Sequence, residues 1–222
     1  MALWVLEALQ QAPSIITIGL VGPSSLQQDG VTVAPMTETM FGNILQGLST
    51  APPDCETVLF VTSDIPWITK DIIEAFLEEA PRDVDVVYPI IPKETAERRF
   101  PGTKRTYVRL KEGVFTGGNL FLARKEAVPR LKERAEMLLA HRKSPVSLAR
   151  DVGVGFLVRL LLGRLSTSQA ETRVGRLLGI TGRALVFPYA EAGVDVDKPE
   201  DLALAERELG QLAAQEQGWD IS

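Results

Sequence analysis

With 222 residues, 45% of them hydrophobic, the chain is long enough to build one α/β domain around a proper core. A formal net charge of −5 offers no broad basic surface and argues against general nucleic-acid binding. A single cysteine, Cys55, and a single histidine, His141, exclude an internal disulfide and any cysteine- or histidine-rich metal site, and no apolar run approaches the ~18 residues of a membrane span, so the chain reads as cytoplasmic.

Met1 to Gln11 reads as a helix with Leu3, Val5, Leu6 and Leu9 apolar and no N-cap ahead of it, stopped by Pro13 and Ser14. Ile15 to Val21 is expected as a buried strand closed by Gly22-Pro23, and Val31 to Ala34 as a weaker one. A helix should follow from about Glu38 to Leu48, with Gly42 and Gly47 lowering its propensity. Val58 to Thr62 is a continuous apolar run, short enough for a strand buried on both faces, and it stops at Ser63-Asp64-Ile65-Pro66. Pro66 cannot donate to a ladder and turns the chain, so Asp64 arrives at the strand's C-terminal end, where open parallel sheets bind ligands. The alternative for Asp64 is a structural carboxylate capping the turn. Thr69 reads as the N-cap of a helix whose Ile72, Ile73, Phe76 and Leu77 form one apolar stripe.

Val84 to Tyr88 is the next expected strand, ending in Pro89-Ile90-Ile91-Pro92. Lys93 to Arg105 is polar and basic: either a solvated loop, or a flap whose Arg98, Arg99, Lys104 and Arg105 meet an anionic substrate. Thr106 to Leu110, a turn, and Val114 to Thr116 read as a hairpin. Gly117-Gly118-Asn119 then lead into the strand Leu120 to Ala123; the glycines permit a bulge or a close approach of backbone to ligand, with Asn119 able to donate and accept beside it. Ala127 to Lys143 reads as a charged amphipathic helix carrying His141, and Ser147 to Gly163 as an apolar helix. Residues 127–178 therefore look like a helical insertion in one domain spanning 1–222.

Ser166 to Glu171 contains a cap for a helix through Leu178, which Gly179 stops, and Ala184 to Phe187 is a last strand. The stretch Gly193-Val194-Asp195-Val196-Asp197-Lys198-Pro199-Glu200-Asp201-Leu202 opens a helix to about Gln217, with Pro199 near its first position. Alternating elements of this kind imply an α/β fold, a mostly parallel open sheet with helices on both faces. Asp64 ends one strand, and Asp195 and Asp197 lie in the turn before the last helix. Carboxylates converging at a sheet's open end suit a hard divalent cation such as Mg²⁺, and so phosphoryl or nucleotidyl chemistry, in which positioning and charge neutralisation do most of the catalysis.

VLFVTSDIPWIT resembles the strand-Asp-x-Pro signature of small nucleotidyltransferases with a glycosyltransferase-A-like, Rossmann-type three-layer fold, which include the molybdenum-cofactor, methylerythritol and sugar-acid cytidylyltransferases and related guanylyltransferases. GVDVDKPEDLALAERELG resembles their closing D-T-P-E-D-L segment, and FTGGNLFLA the strand lining their acceptor site, so the likeness covers nearly the whole chain. The resemblance implies that Asp64 and Asp197 are the catalytic pair holding Mg²⁺, with Asp195 a weaker third ligand. It implies base recognition near Gly42 and Asn43, and an acceptor facing Gly117, Gly118 and Asn119, its anionic group near Lys104 or Arg105. Lys198 stands where the family has a threonine.

Such proteins open with a strand and a glycine-rich loop whose Arg and Lys help cradle the triphosphate, and neither is present here. The expectation is a fold with its first strand missing, between the Ile15 strand and the Asp64 strand. Those two must then close up, pair with another chain, or stay open. The expected function is Mg²⁺-dependent nucleotidyl transfer from a nucleoside triphosphate to a small phosphorylated or acidic acceptor, releasing pyrophosphate, inactive or impaired in the chain as given. One alternative is a non-catalytic nucleotide-binding or interaction protein docking through the apolar helix Val152 to Leu162. Another is a metal-dependent glycosyltransferase using Asp195-Val196-Asp197 as an Asp-x-Asp motif. No nucleic acid or membrane partner is expected, and a homodimer would suit the open sheet edge and the apolar helix.

Overall fold

The computed structural model describes residues 1–132, 134 and 153–216; His141, most of the helix expected from Ala127 to Lys143, and the first part of the Ser147 to Gly163 segment lie outside the described residues. In chain order the elements are α1 (Ala2–Gln11), β1 (Ile18–Val21), β2 (Val31–Ala34), α2 (Met40–Ser49), β3 (Thr57–Val61), α3 (Lys70–Glu79), β4 (Val86–Pro92), α4 (Lys93–Arg99), β5 (Val108–Leu110), β6 (Gly113–Gly117), β7 (Leu120–Arg124), α5 (Val154–Leu161), α6 (Thr167–Leu178), β8 (Gly182–Val186) and α7 (Pro199–Glu216).

Local rules set several boundaries. The Thr39 hydroxyl accepts from the Gly42 backbone N–H at 2.9 Å to start α2, and Thr69 accepts from Ile72 at 3.4 Å to start α3. Ser166 and Gln169 form a capping box at α6, which ends on Gly179 in the left-handed region at φ 70°. Among the described residues no helix is long and apolar enough to cross a membrane.

Six strands form the main sheet in the order β3-β7-β4-β6-β5, with β8 pairing β4. The fold is α/β, and its strand directions follow from the ladders: β3, β4, β5 and β8 run one way, β6 and β7 the other. Val5 and Ala8 of α1 and Ile72, Ile73 and Phe76 of α3 bury one face of this sheet against Val87, Leu120 and Phe187. A second cluster, Trp67, Phe100, Ala190, Val194, Ala205 and Leu209, seats α7 against the loops at the other end. β1 and β2 make a separate parallel pair, Ile18 opposite Val31 through Val21 opposite Ala34.

Several expectations change, and one of the outcomes left open is decided. Val58 to Thr62 is expected buried on both faces, yet no residue of β3 is buried, and among the described residues β3 is an edge strand paired with β7. No ladder joins β3 to β1 among the described residues, so the two strands expected to flank a missing one stay open. The first strand begins at Ile18, leaving Ile16 94% exposed. Pro89 and Pro92 lie inside β4: Pro89 sits where the β7 ladder has stopped at Val87 and the β6 ladder has yet to begin at Ile90, so its missing N–H costs no bond to either strand. Finally, the basic stretch after Pro92 is helical for its first turns as α4, with Glu94 in the first turn, Arg98 and Arg99 in the last, and Ala96 buried beneath. α5 buries none of its residues, and Val154, Val158 and Leu161 are exposed.

Candidate functional site

β3 ends at Val61, and the Thr62 backbone N–H then donates to the Asn119 carbonyl at 2.9 Å, which fixes the strand's exit. Ile65, Pro66, Trp67 and Ile68 behind it are all buried, so Asp64 is presented from a pinned turn. Its backbone carbonyl accepts from the Val196 N–H at 2.9 Å. That bond docks the loop before α7 onto the end of β3, with the Val196 side chain against the second cluster. In an extended segment side chains alternate, so Asp195 and Asp197 share the face that Val196 does not use.

The result is one cluster. Asp64, Asp195 and Asp197 each offer a carboxylate oxygen, and these atoms lie within 4.8 Å of one another. Oδ1 of Asp64 is buried and has no hydrogen-bond partner. A buried carboxylate oxygen left bare costs free energy unless something with a positive charge meets it, and all-oxygen donors suit a hard cation such as Mg²⁺. The residues therefore fit a divalent cation. Burial pushes the Asp195 carboxyl above its ordinary 3.8; the Arg105 guanidinium beside it pulls the other way, and Asp197 adds to the rise.

Arg105 is placed differently from its expected role at an acceptor's anion. Its side chain is 7% exposed, with Nη1 on Asp195 Oδ1, Nη2 donating to the Asp195 carbonyl at 2.7 Å, and Nη2 3.7 Å from Asp201 Oδ1. A guanidinium so deeply buried must be paired, and two carboxylates supply the pairing. Lys104 beside it is exposed.

Gly118 lies buried with its N–H on the Pro89 carbonyl at 2.9 Å, and its carbonyl accepts from the Tyr88 hydroxyl at 2.9 Å. A Cβ there would meet Pro89 Cγ at 2.6 Å, so its close approach is to its own chain; Gly117 next to it is exposed. The Asn119 N–H donates to the Ala192 carbonyl at 2.8 Å, tying the Gly117-Gly118-Asn119 turn to the segment that leads to Asp195. Gly42 and Asn43 belong to the other sheet's unit, at the start of α2. The Asn43 Oδ1 accepts from Thr37 N at 2.6 Å and Thr37 Oγ1 at 2.9 Å, and the Gly42 N–H serves Thr39.

Asp201 was read from the sequence only as a first-turn charge. It is 6% exposed, pairs with Arg105, and accepts from the Lys198 N–H at 3.2 Å. An acid three residues past a helix start is the available signal for the Lys198 bond; nothing local pointed to Arg105.

A family model described as the MobA-like NTP transferase domain matches residues 1–151. Among solved structures, a hypothetical transferase from Thermus thermophilus is 44% identical with a TM-score of 0.83, over 91% of this chain and 85% of that one. The 4-diphosphocytidyl-2C-methyl-D-erythritol synthase of Anaerococcus prevotii is 12% identical with a TM-score of 0.55, covering 94% and 85%. A CMP:2-keto-3-deoxy-manno-octonic acid synthetase complexed with CTP is 13% identical with a TM-score of 0.58, covering 95% and 87%. The last two show likeness of fold alone. No curated protein matches the chain.

Proposed function

The chain belongs to the MobA-like NTP transferase family, and on that premise we propose that it acts in nucleotidyl transfer from a nucleoside triphosphate to a small anionic acceptor, releasing pyrophosphate. The observation that carries this reading is the convergence of Asp64, Asp195 and Asp197 beside the bare Oδ1 of Asp64. These carboxylates would hold Mg²⁺, which when bound supplies charge neutralisation for the phosphates. The chain's own part is positional. Asp64 is fixed by its buried turn, and Val196 fixes the two acids of the loop against it.

In-line transfer needs little acid–base chemistry from the protein, which suits a site made of carboxylates and cations. Lys104 and the Asn119 side chain are assigned to the acceptor, since neither makes a hydrogen bond or ion pair among the described residues. Gly42 and Asn43 are assigned to the neighbourhood of the nucleotide base, although their backbone N–H groups already serve Thr39. The CTP of the solved synthetase of similar fold makes CTP the first probe.

The test is a thermal-shift panel with ATP, GTP, CTP and UTP, each with and without Mg²⁺. A ligand that binds only the folded chain raises the melting midpoint by mass action. One nucleotide should raise it in a metal-dependent way, and Asp64→Asn should abolish that rise. No rise with any nucleotide, from a chain that melts cooperatively, would overturn the reading.

A further inference from the structure

Arg105 reaches Asp195 from a distant part of the chain, the segment between α4 and β5, and grips it twice. Nη1 holds one carboxylate oxygen, and Nη2 holds the same residue's backbone carbonyl at 2.7 Å. Both the backbone and the side-chain torsion of Asp195 are thereby fixed. With Oδ1 held by Arg105, the carboxylate is not free to turn about its own axis. Asp201 holds the guanidinium from the other side at 3.7 Å, and both partners of that pair are 7% exposed. Asp201 is itself anchored, accepting the Lys198 N–H at the start of α7. The Arg105 Nε is buried without a partner, so the fork satisfies the two acids at the expense of its own full hydrogen bonding.

Resting on the reading of the carboxylates as a cation site, we propose that Arg105 is a positioning residue. It holds Asp195 with one oxygen turned toward the cation and links the segment after α4 to the loop before α7. Hydrogen bonds from neighbouring groups to a ligand carboxylate commonly govern metal affinity in this way. A lysine would keep the charge but lose the fork, because an ammonium cannot hold a carboxylate and a carbonyl in one plane. Arg105 differs from a simple anchor in one respect: an anchor's loss lowers stability, whereas a positioning residue's loss lowers cation affinity in a chain that stays folded.

The experiment titrates the full chain with Mn²⁺ alone and reads free Mn²⁺ by its electron paramagnetic resonance signal, with thermal melting in parallel. Wild type should bind, and Asp64→Asn should lose binding. Arg105→Lys should weaken Mn²⁺ binding about 10- to 100-fold while still melting cooperatively. Asp201→Asn, which removes the charge facing Arg105 while its amide oxygen can still accept the Lys198 N–H, should weaken it by a smaller factor. Because Arg105→Met risks leaving two buried carboxylates unpaired and the fold lost, the lysine and Asp201 variants carry the test. Wild-type affinity in both variants overturns the proposal and leaves the cation site standing. Tighter binding in Arg105→Lys also overturns it, and would make Arg105 a competitor of the cation. Absence of Mn²⁺ binding by wild type removes the site, and both readings with it.

Discussion

β1 and β4 are both built from apolar residues, yet they live differently. β4 is laddered on both sides, and its Val87 and Ile91 are buried at 2% and 0% exposure. Among the described residues β1 pairs only with β2, and none of its own residues is buried. The helices repeat the contrast: α3 buries Ile72, Ile73 and Phe76, whereas α2 buries nothing. An apolar sequence sets what a strand is able to bury, and its neighbours decide whether it does. The large buried cluster lies on the main sheet, and the β1–β2–α2 unit is tied to α1 by Gln10, which donates to the Asp29 carbonyl at 3.3 Å.

The sharpest way to test this contrast is to remove a ring from its buried side. Phe76 is fully buried and meets Phe187 edge-on at 5.5 Å. Phe76→Ala should cost about 3–5 kcal/mol by chemical denaturation. A cost below about 1 kcal/mol would break the comparison.

Next in size is Asp85, at the entry to β4, where Oδ2 accepts from Thr181 N at 2.7 Å and Thr181 Oγ1 at 2.9 Å. Asp85→Ala should cost about 2 kcal/mol, since it strips a charged acceptor from a backbone N–H at the β4–β8 junction. The Thr181 N–H, helped by the Thr181 hydroxyl and by Arg130, holds the Asp85 carboxyl below its ordinary 3.8, against the opposing push of burial. Its stabilisation is therefore complete above that value and lost as pH falls through the lowered one. Comparing urea midpoints of wild type and Asp85→Asn at about pH 7 and about pH 3 checks this; the gap should narrow in acid.

Phe60 on β3 stacks on Phe121 at 4.7 Å, half-exposed on the sheet's less covered face. Phe60→Ala should cost about 1 kcal/mol, mostly the stacking. A loss as large as that of Phe76 would mean β3 is covered in solution. Smallest is Asp197→Asn: at an exposed residue among like charges, stability should change by no more than about 0.5 kcal/mol while Mn²⁺ binding falls. A large destabilisation would recast the cluster as structural.

Where one residue's chemistry decides locally, the sequence was legible. Thr69, Ser166, Gly179 and Pro199 all sit at helix boundaries that their types dictate, and Asp64 stands just past the end of the strand expected before it. Where partners distant in sequence decide, it was not. Pro89 looked like a stop because the offset of two ladders is invisible in one strand's composition. KETAERR is full of helix formers, and its run of charges masked the turn that buries Ala96. Arg105 reads as a cation for an anionic substrate because Asp195 and Asp201 are far along the chain; only the folded backbone brings the three together.

The bond from the Val196 N–H to the Asp64 carbonyl has one more consequence. It joins residues far apart in the chain, so the acidic cluster exists only after a long loop has closed. On a ribosome, Asp64 emerges well before its companions, and no partial chain lacking the α7 segment holds all three acids. The charge-dense end is therefore assembled only once the loop before α7 has docked on the turn that carries Asp64.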